Sequence, residues 1–138
     1  MPIAATATDH LVVALAYDGL CTFEFGITAE VFGLERPEMG DDWYSFTTCA
    51  ERPGRLATNA GLAIHVDHGL DMLSAATTIV IPGWRSDGAA PSDPLRNALL
   101  NAHARGARLV SICSGAFLLA ATGLLDGRRA TTHWRYAK

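Results

Sequence analysis

Long apolar runs alternate along the chain with segments in which apolar residues recur once per helical turn. The runs His10–Ala16 (HLVVALA) and Thr77–Ile81 (TTIVI) lack the polar alternation of a half-solvated strand. Such runs are typical of central strands in a parallel sheet, which is covered on both faces. Between them, Phe23–Leu34 has the apolar spacing of one helical face and predicts a helix. The residues of that face are Phe23, Ile27, Val31 and Leu34.

The remaining segments predict shorter elements. The predicted strands are Tyr44–Ala50, Leu62–Val66, Arg108–Ile112 and Arg129–Thr132. The predicted helices are Gly69–Ala75, a helix that Asp93-Pro94 opens and Gly106 ends, Ser114–Ala121, and a final one that starts within His133–Lys138. The predicted helix Ser114–Ala121 follows the strand Arg108–Ile112 with no intervening loop. The predicted loops are Pro37–Asp42 and Trp84–Ser92, and the inner face of the helix after Ser92 is predicted to be Leu95, Leu99, Leu100 and His103.

Strands that alternate with helices predict an α/β three-layer sandwich with a mostly parallel sheet. Right-handed crossovers then place helices on both faces of that sheet. The 138 residues fit one domain, with residues 1–9 as a flexible leader and residues 10–138 as the folded part. The chain stops within a helical segment that has no stop signal. We therefore expect a domain that is incomplete at its carboxyl end, marginally stable and prone to associate.

Composition and charge exclude several classes of protein. Hydrophobic residues make up 49% of the chain and charged residues 18%, which excludes a disordered chain. The formal net charge is −3 and the arginines are scattered, so the chain lacks the concentrated positive face that binds nucleic acid. No apolar run is long enough to cross a bilayer, and no signal peptide is visible. Three cysteines, an odd number, argue against a disulfide framework and favour the cytoplasm.

The segment 109–119 (LVSICSGAFLL) carries the strongest chemical signal. A buried strand runs directly into a helix, and Cys113 lies at the junction with Ser111 and Gly115 two residues away on either side. This is the small-x-nucleophile-x-small arrangement of a nucleophile elbow, with cysteine as the nucleophile. The positive end of the following helix favours a thiolate, which predicts a pKa below that of a free cysteine. The alternative is a small buried hydrophobic cysteine, and the elbow context favours a site residue.

Other polar residues and exposed backbone groups are predicted at the same edge of the sheet, because ligands of open parallel sheets bind beyond the carboxyl ends of the strands. Glu24 follows the first strand, Gly83 and Trp84 follow the strand Thr77–Ile81 with backbone N–H groups exposed to the rim, and His133 follows Arg129–Thr132. The alternative for Glu24 is a solvated residue in the first turn of a helix. The alternative for His133 is a structural histidine.

Three segments together resemble a known family. DGLCTFEFGITAEVFGL, IPGWRSDG and VSICSGAFLLAATGLLDGRRATTHW are similar to the PfpI-type superfamily, whose fold is that of class I glutamine amidotransferases. More narrowly, they resemble the amino-terminal domain of GlxA/FtrA-type regulators of the AraC family. The resemblance implies a flavodoxin-like sandwich and a homodimer. It also implies that Cys113 matches the elbow cysteine, Glu24 its acidic partner, Gly83 the strand-end glycine and His133 the histidine near the pocket.

The chain departs from that family pattern at three points. Ser114 follows the elbow cysteine where the intracellular-protease branch has a histidine, so a peptidase dyad is missing. Trp84 stands where many enzymatic relatives have a second glycine, which weakens an oxyanion hole. The family domain continues into two helix-turn-helix units, and the 138 residues contain neither. The resemblance therefore implies that DNA is bound only through a carboxyl-terminal domain outside these residues.

Three functions remain open at this point. The first is a sensory and dimerisation domain of a transcription regulator, which binds a small effector or senses an oxidant near Cys113, with Gly83, Trp84 and Ser114 as ligand-binding residues. The second is a cysteine-dependent enzyme of the hydratase, glyoxalase or amidase type, and the third is a dimerisation module with a vestigial elbow. The GITAEVFGL and ATTHW segments favour the first. No cofactor motif is present, and Cys21 and Cys49 lack the ligand spacing of a zinc site.

Overall fold

The computed structural model describes residues 10–137, and at its centre lies a four-stranded parallel sheet. The strand order is β2-β1-β5-β6, and every neighbouring pair is parallel. The four strands are β1 (Leu11–Leu15), β2 (Ser45–Cys49), β5 (Thr78–Ile81) and β6 (Arg108–Ser111). The predicted α/β class with a mostly parallel sheet is therefore confirmed.

Three α-helices flank the sheet within residues 10–137. They are α1 (Thr22–Gly33), α2 (Asp93–Ala104) and α3 (Gly115–Thr122). The chain moves from β1 to β2 in one direction along the sheet and from β5 to β6 in the other. Right-handed crossovers therefore place α1 and α2 on opposite faces, which buries the two central strands. From Val12 to Leu15 no residue of β1 is more than 1% exposed, as its continuous apolar run predicts.

An antiparallel hairpin lies outside the main sheet. It pairs β3 (Gly54–Ala57) with β4 (Ala63–Val66). The strand predicted at Leu62–Val66 is confirmed, whereas β3 has no counterpart in the sequence prediction. Three 3₁₀ helices complete the described chain, at Pro37–Asp42, Leu70–Ala75 and Trp134–Tyr136.

Several predicted elements need correction. No strand forms at Arg129–Thr132, because no other strand pairs with that segment. Pro37–Asp42 is a 3₁₀ helix rather than a loop, and the final helix is a single 3₁₀ turn at Trp134–Tyr136. The predicted leader 1–9 and the last residue, Lys138, lie outside the described residues.

The predicted inner faces of two helices are also partly wrong. In α1, Phe23 is 74% exposed, and Thr28 is the buried residue instead. In α2, the buried residues are Leu95, Leu99 and Ala102, whereas Leu100 is half-buried and His103 is exposed. Ser92 caps α2, because its hydroxyl accepts a hydrogen bond from the Leu95 N–H at 3.2 Å. Within residues 10–137 no helix has the length and apolar character of a membrane span.

Candidate functional site at the carboxyl edge of the sheet

Cys113 occupies a sharp turn between β6 and α3. Its φ angle is +57°, and it is the only non-glycine residue with a positive φ among the described residues. Residues other than glycine rarely adopt this conformation, and such strained positions cluster at functional sites. The hydrogen bond from the Ile112 N–H to the Ile81 carbonyl, 3.0 Å, ties the turn to the end of β5. The strained strand-to-helix turn predicted for a nucleophile elbow is therefore present.

Gly115 allows α3 to begin directly against the end of β5. A Cβ atom at this position would overlap the carbonyl oxygen of Ile81 and would lie 3.2 Å from the backbone nitrogen of Gly83. Only glycine therefore permits this close approach of backbone to backbone. Gly115 is the small residue two positions after the cysteine in the elbow pattern. The structure therefore gives a steric reason for a small residue at this position.

Ser114 clamps the segment that follows β5. Its hydroxyl donates to the Trp84 carbonyl at 3.1 Å and accepts from the Trp84 N–H at 3.0 Å. The serine is 4% exposed, so water does not compete strongly for these bonds. The expectation that the Trp84 N–H is exposed at the rim is wrong, because the Ser114 hydroxyl occupies it. The hydroxyl of Ser114 thus holds the Trp84 backbone, and both its donor and an acceptor site are already used.

Gly83 brings two further side chains to the same edge. Its φ is +118°, and a Cβ there would lie 2.8 Å from the Tyr17 hydroxyl oxygen and 3.3 Å from the Cys21 sulfur. The Tyr17 hydroxyl donates to the Cys21 sulfur at 3.4 Å and accepts from the Cys21 N–H at 3.3 Å. Sequence reasoning assigned Tyr17 no role, although its position directly after β1 was an available signal.

The pKa of the Cys113 thiol is raised above its ordinary value. Partial burial is the largest cause, and the adjacent Glu24 carboxyl raises the pKa further by hydrogen bonding and by its charge. A hydrogen bond from the Ser114 backbone N–H acts in the opposite direction but does not outweigh them. The prediction of a lowered pKa is therefore wrong, because the helix terminus is one contribution among several. That Glu24 contacts the Cys113 sulfur directly stays a prediction.

Two other buried groups titrate at high pH. Burial raises the pKa of Cys49 to about 12, so this core thiol is unreactive near neutrality. Burial and the hydrogen bond with Cys21 raise the pKa of Tyr17 well above its usual range. Both groups therefore remain neutral under physiological conditions.

The segment after α3 contacts the elbow through a residue that sequence reasoning did not identify. The Thr132 hydroxyl donates to the Cys113 carbonyl oxygen at 2.8 Å. His133, the predicted site histidine, instead accepts a hydrogen bond from the Arg135 N–H through Nδ1 at 3.2 Å and packs against Trp134. The structure thus gives His133 local partners, and Thr132 makes the contact with the elbow. No metal-ligating cluster of three or more residues occurs in the described part of the chain.

The chain resembles known proteins in sequence and in fold. The model of the DJ-1/PfpI family matches residues 10–138. The chain belongs to the DJ-1/PfpI family. Two solved structures share the DJ-1/PfpI fold of this chain. A THiJ/PfpI family protein from Pseudomonas syringae has a TM-score of 0.74 at 25% identity, over 91% of this chain and 51% of that one. An AraC family transcriptional regulator from Pseudomonas putida has a TM-score of 0.72 at 18% identity, over 91% and 68%.

Curated relatives of this DJ-1/PfpI chain have different names. A protein in the cpoL 5' region of Streptomyces lividans is 35% identical over 132 residues, 95% of this chain and 92% of that protein. The HTH-type transcriptional regulator GlxA of Rhizobium meliloti is 33% identical over 99 residues, 71% of this chain and 31% of that protein. The isonitrile hydratase of Pseudomonas putida is 33% identical over 82 residues, 59% and 36%. This chain therefore spans about a third of the regulator and of the hydratase.

Proposed function

We propose that this DJ-1/PfpI chain is the effector-sensing and dimerisation domain of an AraC-family transcription regulator. The observation that carries the proposal is the clamp between Ser114 and Trp84, which uses the Trp84 N–H. An acyl-transfer enzyme needs free donors aimed at the developing oxyanion, whereas a binding site needs a stable wall. The likeness to the regulator GlxA over 71% of the chain supports the class.

The effector, a small metabolite or an oxidant, would be detected at the edge of the sheet around Cys113. Glu24 and the Cys113 thiol would contact it, and Gly83 and Trp84 would line the site. The neutral thiol that results from the raised pKa suits a binding role, because the thiolate is the nucleophilic form. His133 would lie at the border of the site.

The Thr132 hydroxyl provides a route from the elbow to the rest of the protein. Its bond to the Cys113 carbonyl joins the strained turn to the segment that leads toward residue 138. A ligand that shifts the turn would therefore shift this segment as well. DNA would be bound by a helix-turn-helix domain outside residues 1–138, in a cytoplasmic homodimer.

A cysteine-dependent enzyme, such as an isonitrile hydratase, is the second candidate. The observation that favours it is the carboxyl of Glu24 beside the Cys113 thiol, an acid next to a nucleophile. In such a reaction the Glu24 carboxylate would take the thiol proton as the sulfur adds to the isonitrile carbon, and would pass that proton to the same carbon to give a thioimidate. Water would then displace the sulfur and release the N-substituted formamide. The raised thiol pKa and the occupied Trp84 N–H weigh against this role.

Two assays on the natural full-length protein separate the candidates. The first measures binding to the DNA upstream of its own gene, and the second measures turnover of casein, glyoxal and an isonitrile. We expect DNA binding and no turnover. Turnover that Cys113→Ala abolishes and the matched control Cys49→Ala retains, without DNA binding, would replace the regulator with the enzyme.

A further inference from the structure

A second concave site lies at the same edge of the sheet but away from the cysteine. Its volume is about 500 Å³, and its lining comes from the residues that follow β1, β2 and β5 and from the hairpin. Neither Cys113 nor Glu24 belongs to this lining. A cavity of this size, at the carboxyl ends of parallel strands, is a common location for a small ligand.

Part of the cavity wall is apolar and buried. The side chains concerned are Leu15, Leu56, Leu95 and Trp84, none more than 8% exposed. The Trp84 ring packs against the Tyr17 ring, with centroids 5.3 Å apart. This surface offers an apolar ligand body contact with aliphatic groups and with a fixed aromatic ring.

Three arginines from separate parts of the chain surround this apolar surface. Arg52 follows β2, Arg55 lies in β3 and Arg85 follows β5, and all three side chains are exposed. Neither Arg52 nor Arg55 has an ion-pair partner among the described residues, whereas Arg85 approaches Asp87 at 3.4 Å. Three guanidinium groups around one cavity contrast with the net charge of −3 of the whole chain.

The acidic residues of the lining do not cancel the positive charge of the three arginines. They are Asp18 and Glu51. The Asp18 carboxylate already accepts a hydrogen bond from the Ala57 N–H at 3.0 Å, which orients it toward the hairpin. Glu51 is exposed to solvent like the arginines, and the three arginines of the lining outnumber its two acidic groups.

We propose that this cavity binds a small carboxylate with an apolar body. The guanidinium groups of Arg52 and Arg55 hold the carboxylate, because their planar donors match its two oxygens. The apolar body lies on Leu56, Leu95 and the Trp84 ring. The proposal that the cavity binds a carboxylate is argued from the residues of the cavity alone. Any effect of that binding on transcription rests on the proposed sensing function.

Trp84 links this cavity to the elbow. Trp84 lines the cavity, while its backbone N–H and carbonyl are bonded to Ser114, the residue after Cys113. A ligand that contacts the ring therefore acts on a residue whose backbone is fixed to the strained turn. The two sites share one structural connection and have different ligand chemistry.

Binding is tested with three probes of equal chain length, hexanoate, hexanamide and hexylamine, by isothermal titration calorimetry on the natural full-length protein. We expect saturable binding of hexanoate, at least tenfold weaker binding of the amide, and no binding of the amine. Equal affinity for hexanoate and hexanamide, or no binding of hexanoate, would overturn the proposal.

Charge-removing variants locate the site. Arg52→Gln and Arg55→Gln are expected to weaken hexanoate binding at least fivefold each, with unchanged melting temperatures. The matched control Arg96→Gln removes an exposed arginine of α2 outside the cavity and is expected to leave affinity unchanged. Wild-type affinity in both cavity variants, or an equal loss in the control, would overturn the proposal. Hexanoate that binds the full-length protein without changing its DNA affinity would uphold this site and contradict its connection to DNA binding through Trp84, whereas the sensing function at Cys113 is tested by the assays above.

Discussion

At Cys113 the chain holds a left-handed backbone conformation that the surrounding residues stabilise. The Thr132 hydroxyl binds its carbonyl, and the Ile112 N–H ties the turn to β5. Ser114, the next residue, fixes the Trp84 backbone. Three short polar or backbone contacts thus determine where the sulfur lies, while Glu24 and partial burial determine its protonation state.

Removal of the Glu24 charge is expected to lower the pKa of Cys113. Glu24→Gln eliminates the carboxylate that raises this pKa, so the thiolate forms at lower pH and iodoacetamide reacts several-fold faster at pH 8. The measurement is the alkylation rate of Cys113 against pH, followed by mass spectrometry. Glu30→Gln, an exposed acid of the same helix, serves as the control and is expected to match the wild type. A slower reaction in Glu24→Gln would contradict the assigned electrostatics.

At the scale of elements, the site depends on how closely α3 approaches the end of β5. Gly115 lies against the Ile81 carbonyl, and Gly83 lies against Tyr17 and Cys21. Both contacts involve glycine because a side chain would occupy the space of the neighbouring element. The sheet edge is therefore compact on the side of the cysteine and open on the side of the hairpin, where the arginine-lined cavity lies.

Substitution of Gly115 is expected to destabilise the fold. Gly115→Ala forces α3 away from β5 and is expected to lower the free energy of unfolding by about 1–3 kcal/mol, the usual cost of overpacking. Gly26→Ala is the matched control in α1, because a Cβ there meets no atom within 4 Å. The control should stabilise by up to about 1 kcal/mol through helix propensity. Equal effects of the two substitutions in urea unfolding would contradict the packing at Gly115.

The elements that sequence analysis predicted correctly have causes local to the chain. The runs in β1 and β5 indicated burial on both faces, and the small residues around Cys113 indicated the sharp turn. The apolar spacing of α1 did not reveal which face is exposed, because the face opposite the Phe23 side is apolar as well. That opposite face contains Phe25 and Gly33, and Gly33 packs on Phe46. β3 was missed because Arg52-Pro53-Gly54 has the composition of a turn, and its strand forms only by pairing with β4.

The site residues also divide into those that local sequence predicted and those that depend on contacts between distant parts of the chain. Cys113 and Gly83 follow strand ends and Glu24 lies in the first turn of α1, so the order of elements predicted them at one edge. The clamp of Ser114 on Trp84 and the bond from Thr132 join residues 30 and 19 positions apart, which periodicity does not reveal. The lowered thiol pKa was wrong because it followed from the helix terminus alone, without burial and the Glu24 carboxyl.

At the scale of the whole molecule, one face of α1 leaves apolar side chains in solvent. Phe23, Val31 and Leu34, the last directly after the helix, are all more than 40% exposed and lie on one apolar stripe. Exposed apolar surface of this kind drives association. The stripe is the surface that we assign to contact between two copies in the proposed homodimer.

A charge in this stripe is expected to weaken self-association. Val31→Glu should raise the dissociation constant of the dimer at least tenfold, because association would bury an unpaired carboxylate. The matched control is Leu62→Glu, at an exposed position (59%) next to β4. Sedimentation velocity over a range of concentrations measures both. Wild-type association in Val31→Glu would remove α1 from the interface.

The central claim is that the elbow controls DNA binding through the segment after α3, and one comparison tests it most directly. Thr132→Val removes the hydroxyl that binds the Cys113 carbonyl, whereas Thr131→Val changes the exposed neighbour whose hydroxyl bonds the Thr132 carbonyl instead. The measurement is the affinity of each full-length variant for the DNA upstream of the gene. We predict at least a threefold change for Thr132→Val and wild-type affinity for Thr131→Val. Equal affinities in the wild type and both variants would contradict the claim.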